Sequence, residues 1–87
     1  MSYGVIFTET ALNQLRKLER KTQERIITTL ERVRLSPERY LRKLRGRPEY
    51  RLRVGEYRIL ILVDREKLIL LVVEVGHRKN IYERSGR

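Results

Sequence analysis

The sequence predicts an α+β fold in which an N-terminal antiparallel helix pair packs on one face of a mainly antiparallel sheet, made of a short N-terminal strand plus a three-stranded meander. Three observations predict it. Apolar residues recur at helical spacing between Ala11 and Val33, they alternate at strand period from Tyr50 onward, and Gly55-Glu56 separates two alternating runs as a two-residue hairpin turn. The 87 residues allow a single domain, 1–87, with one modest core, and 40% hydrophobic residues suffice to fill it.

Each element has its own signal. Tyr3 to Phe7 is a short β-rich opening that ends at Thr8, an N-cap residue, with Glu9 suited to the first turn of a helix. Ala11, Leu12, Leu15 and Leu18 give helix one, to about Arg20. Thr22 then caps a second helix with Glu24 in its first turn, Ile26, Ile27, Leu30 and Val33 as its buried stripe, and Ser36-Pro37 as its end. The short link makes the two helices antiparallel. The meander follows as Tyr50 to Val54, Tyr57 to Asp64 and Lys67 to Val75, with its last turn at Arg65-Glu66. If that turn is tight, Val63 pairs with Leu68 and Ile59 with Val72. Gly76 is expected to break the last strand, and the tail after Tyr82 is too short for a full C-terminal helix.

Strand alternation divides the sheet into two faces. One carries Tyr50, Leu52, Val54, Ile59, Ile61, Val63, Leu68, Leu70 and Val72, and receives the helices. The other carries Arg51, Arg53 and Arg58 at one end. A type II′ turn at Gly55-Glu56 sets Arg53 opposite Arg58. Like charges so placed destabilise a sheet, so the cluster reads as a preformed anion site. The same face carries Leu60, Leu62, Ile69, Leu71 and Val73, an apolar strip that no remaining helix covers; it is expected to receive another polypeptide. His77, Arg78 and Tyr82 follow the third strand and are expected to join the arginines, adding a titratable ring and a stacking ring.

Charge points to a polyanionic partner. The chain has 21 Lys+Arg against 11 Asp+Glu, a formal net of +10, and 16 of the basic residues are arginine, whose planar fork grips phosphate at two points. Eight basic and two acidic residues lie between Arg39 and Arg58. Strand-period alternation at Arg51 and Arg53 is unlike a basic amphipathic helix at a membrane. There is no cysteine and one histidine, so no disulfide framework or zinc site is expected, and no cofactor or metal is implied. The longest apolar run, Leu68 to Val73, is too short to span a bilayer, and Met1-Ser2-Tyr3-Gly4 does not begin a signal peptide, which points to the cytoplasm.

The order of a helix pair, then Lys43-Leu44-Arg45-Gly46, then Tyr50-Arg51-Leu52-Arg53-Val54-Gly55-Glu56-Tyr57-Arg58-Ile59, then Val75-Gly76-His77-Arg78-Lys79-Asn80-Ile81-Tyr82 resembles the RelE/ParE superfamily of toxin-antitoxin modules, on the RelE side. The resemblance covers nearly the whole chain. It implies a toxin that cuts messenger RNA in the ribosomal A site and is neutralised by a small acidic RelB-like antitoxin. Carried over, the basic pair of the family falls on Arg51 and Arg53, the next strand's arginine on Arg58, the arginine after the last strand on Arg78, and the C-terminal tyrosine on Tyr82. Where the family is thought to use a lysine of the basic pair in deprotonation, this chain has arginine, which stays protonated and cannot act as a base. His77 is therefore the expected titrating group. The implied chemistry is metal-free attack of the ribose 2′-hydroxyl on the adjacent phosphate, with Lys43, Arg45, Arg47 and Lys79 contacting RNA; the helix-one residues Arg16, Lys17, Arg20 and Lys21 read either as a solvated charged face, the commoner case, or as a grip on ribosomal RNA. Two other readings follow from the same residues: a non-catalytic DNA gyrase inhibitor of the ParE kind, and a plain nucleic-acid-binding module.

Overall fold

A computed structural model describes the backbone of residues 2–85 and the side chains of residues 2–81. The elements are β1 (Gly4–Phe7), α1 (Glu9–Arg16), α2 (Arg20–Val33), α3 (Pro37–Tyr40), β2 (Arg42–Lys43), β3 (Tyr50–Val54), β4 (Tyr57–Asp64), β5 (Ile69–His77) and α4 (Arg78–Ser85). The sheet order is β1-β5-β4-β3-β2; β1 runs parallel to β5 and every other pair is antiparallel. The expected α+β fold, helix pair and meander are all present.

The helices form where their stripes and caps direct. Thr8 accepts a hydrogen bond from the Ala11 amide at 3.1 Å, as an N-cap does. Helix α1 stops earlier than Arg20, and α2 starts at Arg20 behind Glu19 instead of at Thr22. The Gln23 side chain explains the early turn: its amide donates to the carbonyls of Leu18 (2.8 Å) and Arg16 (3.3 Å), satisfying acceptors that the end of a helix leaves open. Ala11, Leu15, Ile26, Leu30 and Val33 then close on Leu52, Val54, Ile59, Ile61, Leu70, Val72 and Val75 to make the core.

At the hairpin, Gly55 has φ +58° and the predicted pairs Val54 with Tyr57 and Arg53 with Arg58 are present. A Cβ on Gly55 would lie 2.8 Å from Nη1 of Arg25. That guanidinium can swing away, so the backbone conformation dominates the cost. Gly55→Ala is expected to destabilise the fold by about 1–2 kcal/mol, read by denaturant unfolding.

The β4–β5 register departs from expectation in two ways. The connecting loop is longer, so Val63 pairs with Leu70 instead of Leu68, and Leu68 sits in the turn with φ +56°. A shift of two residues preserves the faces. Further along, Ile61 pairs with Val72 but Leu60 pairs with Glu74, which leaves Val73 as a bulge. This one-residue slip reverses the faces for the rest of β5. Val75 enters the core, while Glu74 and Gly76 turn to the opposite side. Gly76 does not break the strand: it continues the ladder opposite Arg58.

A C-terminal helix is also present, contrary to expectation. It begins immediately after His77 and lies on the face away from α1 and α2. Ile81 is buried, and a Cβ on Gly76 would sit 3.1 Å from its Cγ1, so a residue with no side chain is what lets α4 dock closely. That docking corrects the reading of the second apolar strip. Leu60 is 1% exposed and is covered by the chain itself, so it is not available to a partner. Leu62, Ile69, Leu71 and Val73 remain half-buried.

Candidate nucleic-acid interface

Strand pairing builds an arginine face from the residues upward. Arg53 stands opposite Arg58, and Arg51 stands between Arg42 on one side and Leu60 on the other. Residues directly paired share a face, so Arg42, Arg51, Arg53 and Arg58 all lie on the side away from α1 and α2. Arg42 belongs to β2, a two-residue strand with no sequence signal of its own, so its place opposite Arg51 was not foreseen. Glu74 was missed for the same kind of reason. Only the bulge brings it onto this face, opposite Leu60.

The repulsion between Arg53 and Arg58 is relieved by sending the two heads to different places. Arg58 is 4% exposed; its Nη1 donates to the carbonyls of Gly55 and Tyr57, each at 3.0 Å. Arg53 projects into solvent. Arg78 starts α4 beside the same turn. Its backbone amide donates to the Glu56 carbonyl at 2.8 Å, and its Nε lies 3.1 Å from Glu56 Oε1. Three consecutive carbonyls of the hairpin turn thus hold two arginines, which fixes Arg58 and Arg78 relative to each other.

His77 does not join them. It pairs with Tyr57, which faces the core side, and the two rings meet edge to face with centroids 5.6 Å apart. The Lys79 amide donates to His77 Nδ1 at 3.3 Å. The bulge at Val73 is the physical reason for the reversal: without it, strand parity would carry His77 to the arginine side. The side chain of Tyr82 lies outside the described residues.

The expected RNA-contacting residues separate into two kinds. Arg45 and Lys79 are exposed. Arg47 is engaged in a bidentate pair with Glu49, at 3.0 and 3.1 Å, and the Lys43 ammonium bonds the Arg47 carbonyl and lies 5.8 Å from the Tyr50 ring centroid. Lys43 pairs with Tyr50 and so takes the core side of the sheet. These two residues hold the β2–β3 connection together.

The Arg47 hydrogen bond holds the Glu49 carboxyl below its usual range. A carboxyl lowered by folding adds stability at pH above the ordinary carboxylate range, and that stability is lost as pH falls through the lowered value. Arg47 is about one-third exposed, so the pair is screened. Glu49→Gln is expected to cost about 0.5 kcal/mol near neutrality and nothing once the carboxyl is protonated. Melting curves of both proteins at neutral and strongly acid pH check this.

Beyond the sheet face, the basic surface continues around its edge. A groove of about 500 Å³ between α2 and the hairpin has Lys21, Arg25, Arg32 and Arg53 in its lining, with Thr28, Thr29 and one carboxylate, Glu24, among them. Lys21, Arg25, Thr28 and Arg32 recur at spacings of three or four, one face of a helix. A second hollow of about 480 Å³ adjoins it through Thr29 and Arg53. Among the described residues, no group of three or more His, Cys, Asp or Glu is placed to hold a metal, and no helix is long and apolar enough to cross a membrane.

Comparison with known proteins gives this arrangement a family. Residues 5–82 match the family model described as ParE toxin of the type II toxin-antitoxin system parDE. The mRNA interferase toxin RelE of Escherichia coli (strain K12) is 37% identical over 82 residues, covering 91% of this chain and 86% of that protein. Among solved structures, the RelBE toxin-antitoxin complex of Mycobacterium tuberculosis superposes with a TM-score of 0.83 at 28% identity, over 90% of this chain and 100% of that one. The intact E. coli RelBE complex superposes with a TM-score of 0.74 at 37% identity, over 87% and 96%. The chain therefore belongs to the RelE/ParE superfamily of type II toxin-antitoxin toxins, and is similar to its RelE members.

Proposed function

We propose that this toxin is a ribosome-dependent endoribonuclease that cuts messenger RNA in the A site and so stops translation. The observation that carries the reading is the arginine set at one end of the sheet: Arg53 opposite Arg58, Arg51 one pair further along, and Arg78 tied to the same turn. A fold selected for stability alone would not oppose two arginines. The naming of the E. coli relative as an mRNA interferase supports the same reading.

In the reaction, the 2′-oxygen attacks the adjacent phosphorus, the bond from phosphorus to the 5′-oxygen breaks, and the 2′-proton is lost as the leaving oxygen gains one. Products are a 2′,3′-cyclic phosphate and a 5′-hydroxyl. Arg78 stabilises the charge that develops on the phosphoryl oxygens, Arg58, buried and bonded to the turn carbonyls, holds the hairpin beside it, and Arg51 and Arg53 position the backbone. Permanently charged arginines suit that task and cannot take the proton. With His77 on the other side of the sheet, proton transfer falls to Tyr82 or to groups of the ribosome, which explains a dependence on it. The exposed basic residues of α1 and α2, including Arg25 and Arg32, contact ribosomal RNA. Such a protein works in the cytoplasm.

A RelB-like acidic antitoxin is the proposed neutralising partner. The matched structures include toxins solved with RelB, and a +10 chain calls for an acidic complement. Its apolar landing strip is Leu62, Ile69 and Leu71, next to exposed Ile6. End-group analysis of RNA from a translating extract tests the chemistry: cyclic phosphate and 5′-hydroxyl ends support it, and 5′-phosphate ends refute it. The ParE description of the matched family supports a second reading, a DNA gyrase inhibitor, for which growth arrest without RNA breaks is the signature.

A further inference from the structure

Strand β2 is only two residues long and pairs with Tyr50 and Arg51 alone, so the sheet edge at Leu52 and Arg53 is left open. The hollow of about 480 Å³ lies there, walled by Thr29 of α2 and by Arg39 and Tyr40 of α3, with Arg42, Arg51 and Arg53 on its sheet side. Among the described residues, Tyr40 is the aromatic side chain among the exposed large hydrophobics, at 38%. It adds nothing to the core. A partly exposed ring beside four arginines matches how proteins bind single-stranded nucleic acid, by ring stacking beside a cationic track.

We infer that this hollow is a nucleotide-binding subsite, in which Tyr40 stacks on one base of single-stranded RNA while Arg42 and Arg51 hold its phosphate. The volume is in the range of small-ligand sites. Arg51, Arg53 and Arg42 belong to both the hollow and the arginine face, so a strand leaving the face passes into the hollow without a gap in positive charge. The base in the subsite flanks the phosphate that is cut. This inference deepens the nuclease reading and rests on it for the direction of the strand, but binding can be measured apart from cleavage.

The test uses a short single-stranded RNA with 2′-O-methyl riboses, which cannot be cut, carrying 2-aminopurine at successive positions. Base stacking on a ring quenches that fluorophore. Wild type is expected to quench it at one position. Tyr40→Ala is expected to abolish that quenching and weaken binding by about fivefold or more, whereas Tyr40→Phe retains both. Tyr40→Ala should leave the salt dependence of binding unchanged, because a stacked ring releases no counterions; Arg42→Ala should reduce the slope by about 0.7. Equal melting temperatures for the Tyr40 variants and wild type separate these effects from misfolding. Overturning results are quenching that survives Tyr40→Ala, a loss as large in Tyr40→Phe, or a Tyr40→Ala variant that binds RNA normally but loses affinity for an acidic antitoxin. The last would assign the open edge to an extended acidic peptide. Cleavage on the ribosome is scored separately: its absence refutes the nuclease reading while Tyr40-dependent RNA binding still upholds the subsite.

Discussion

Arg78→Ala is expected to lower A-site cleavage by about 10²–10³-fold while the protein stays folded, since deleting one preorganised donor to a developing oxyanion costs that much. Its ion pair with Glu56 is half-exposed at Arg78 and more exposed at Glu56. Such a pair is worth at most about 1 kcal/mol, so the melting temperature should move by no more than about 5 °C. Arg58→Ala behaves differently. It should lose cleavage too, but it also removes a buried guanidinium that binds two turn carbonyls. A cost of about 1–3 kcal/mol follows, visible as a melting temperature lower by roughly 5–20 °C. Single-turnover cleavage beside thermal melting separates the two arginines: Arg78 acts on the substrate, and Arg58 acts through the hairpin turn that it holds. Equal cleavage by wild type and Arg78→Ala would contradict the assignment of Arg78.

The second large effect is expected at Ile81. Its side chain is 2% exposed and pins α4 against the bare backbone of Gly76. Ile81→Ala leaves a cavity at that contact and should cost about 2–4 kcal/mol. Because α4 is peripheral, the loss appears first as local opening, with faster hydrogen exchange in residues 78–85 than in β4. Opening releases Arg78 from the turn, so cleavage should fall together with the protection of α4. Unchanged exchange and unchanged cleavage in Ile81→Ala would show that the helix is held by other contacts.

Much of this was legible in the sequence. Apolar spacing at Ala11, Leu15, Ile26 and Leu30 placed the helices, and the Gly55-Glu56 turn gave the hairpin register without error, because a two-residue loop leaves no freedom. The Arg53–Arg58 opposition followed from that turn alone. What could not be read depends on longer loops and on tertiary contacts. The four-residue connection from Asp64 to Ile69 allows several registers, and the bulge at Val73 has no local composition signal. That single slipped residue decided the side of the sheet for Glu74, Gly76 and His77, and so removed the expected titrating ring from the arginine cluster. The C-terminal helix was missed because Arg78 to Ser85 has almost no amphipathic pattern. Its one buried anchor, Ile81, works only because Gly76 lies beneath it. Likewise Arg42 and Tyr40 acquire their places from β2 and α3, elements of two and four residues that periodicity does not register.

The most direct test of the central claim is primer extension on messenger RNA from a translating extract given the protein, with the Arg58→Ala/Arg78→Ala double variant beside it. New breaks inside codons at the A site are expected with wild type and none with the double variant. Wild type that arrests growth yet leaves the messenger intact would contradict it and direct attention to DNA gyrase as the target.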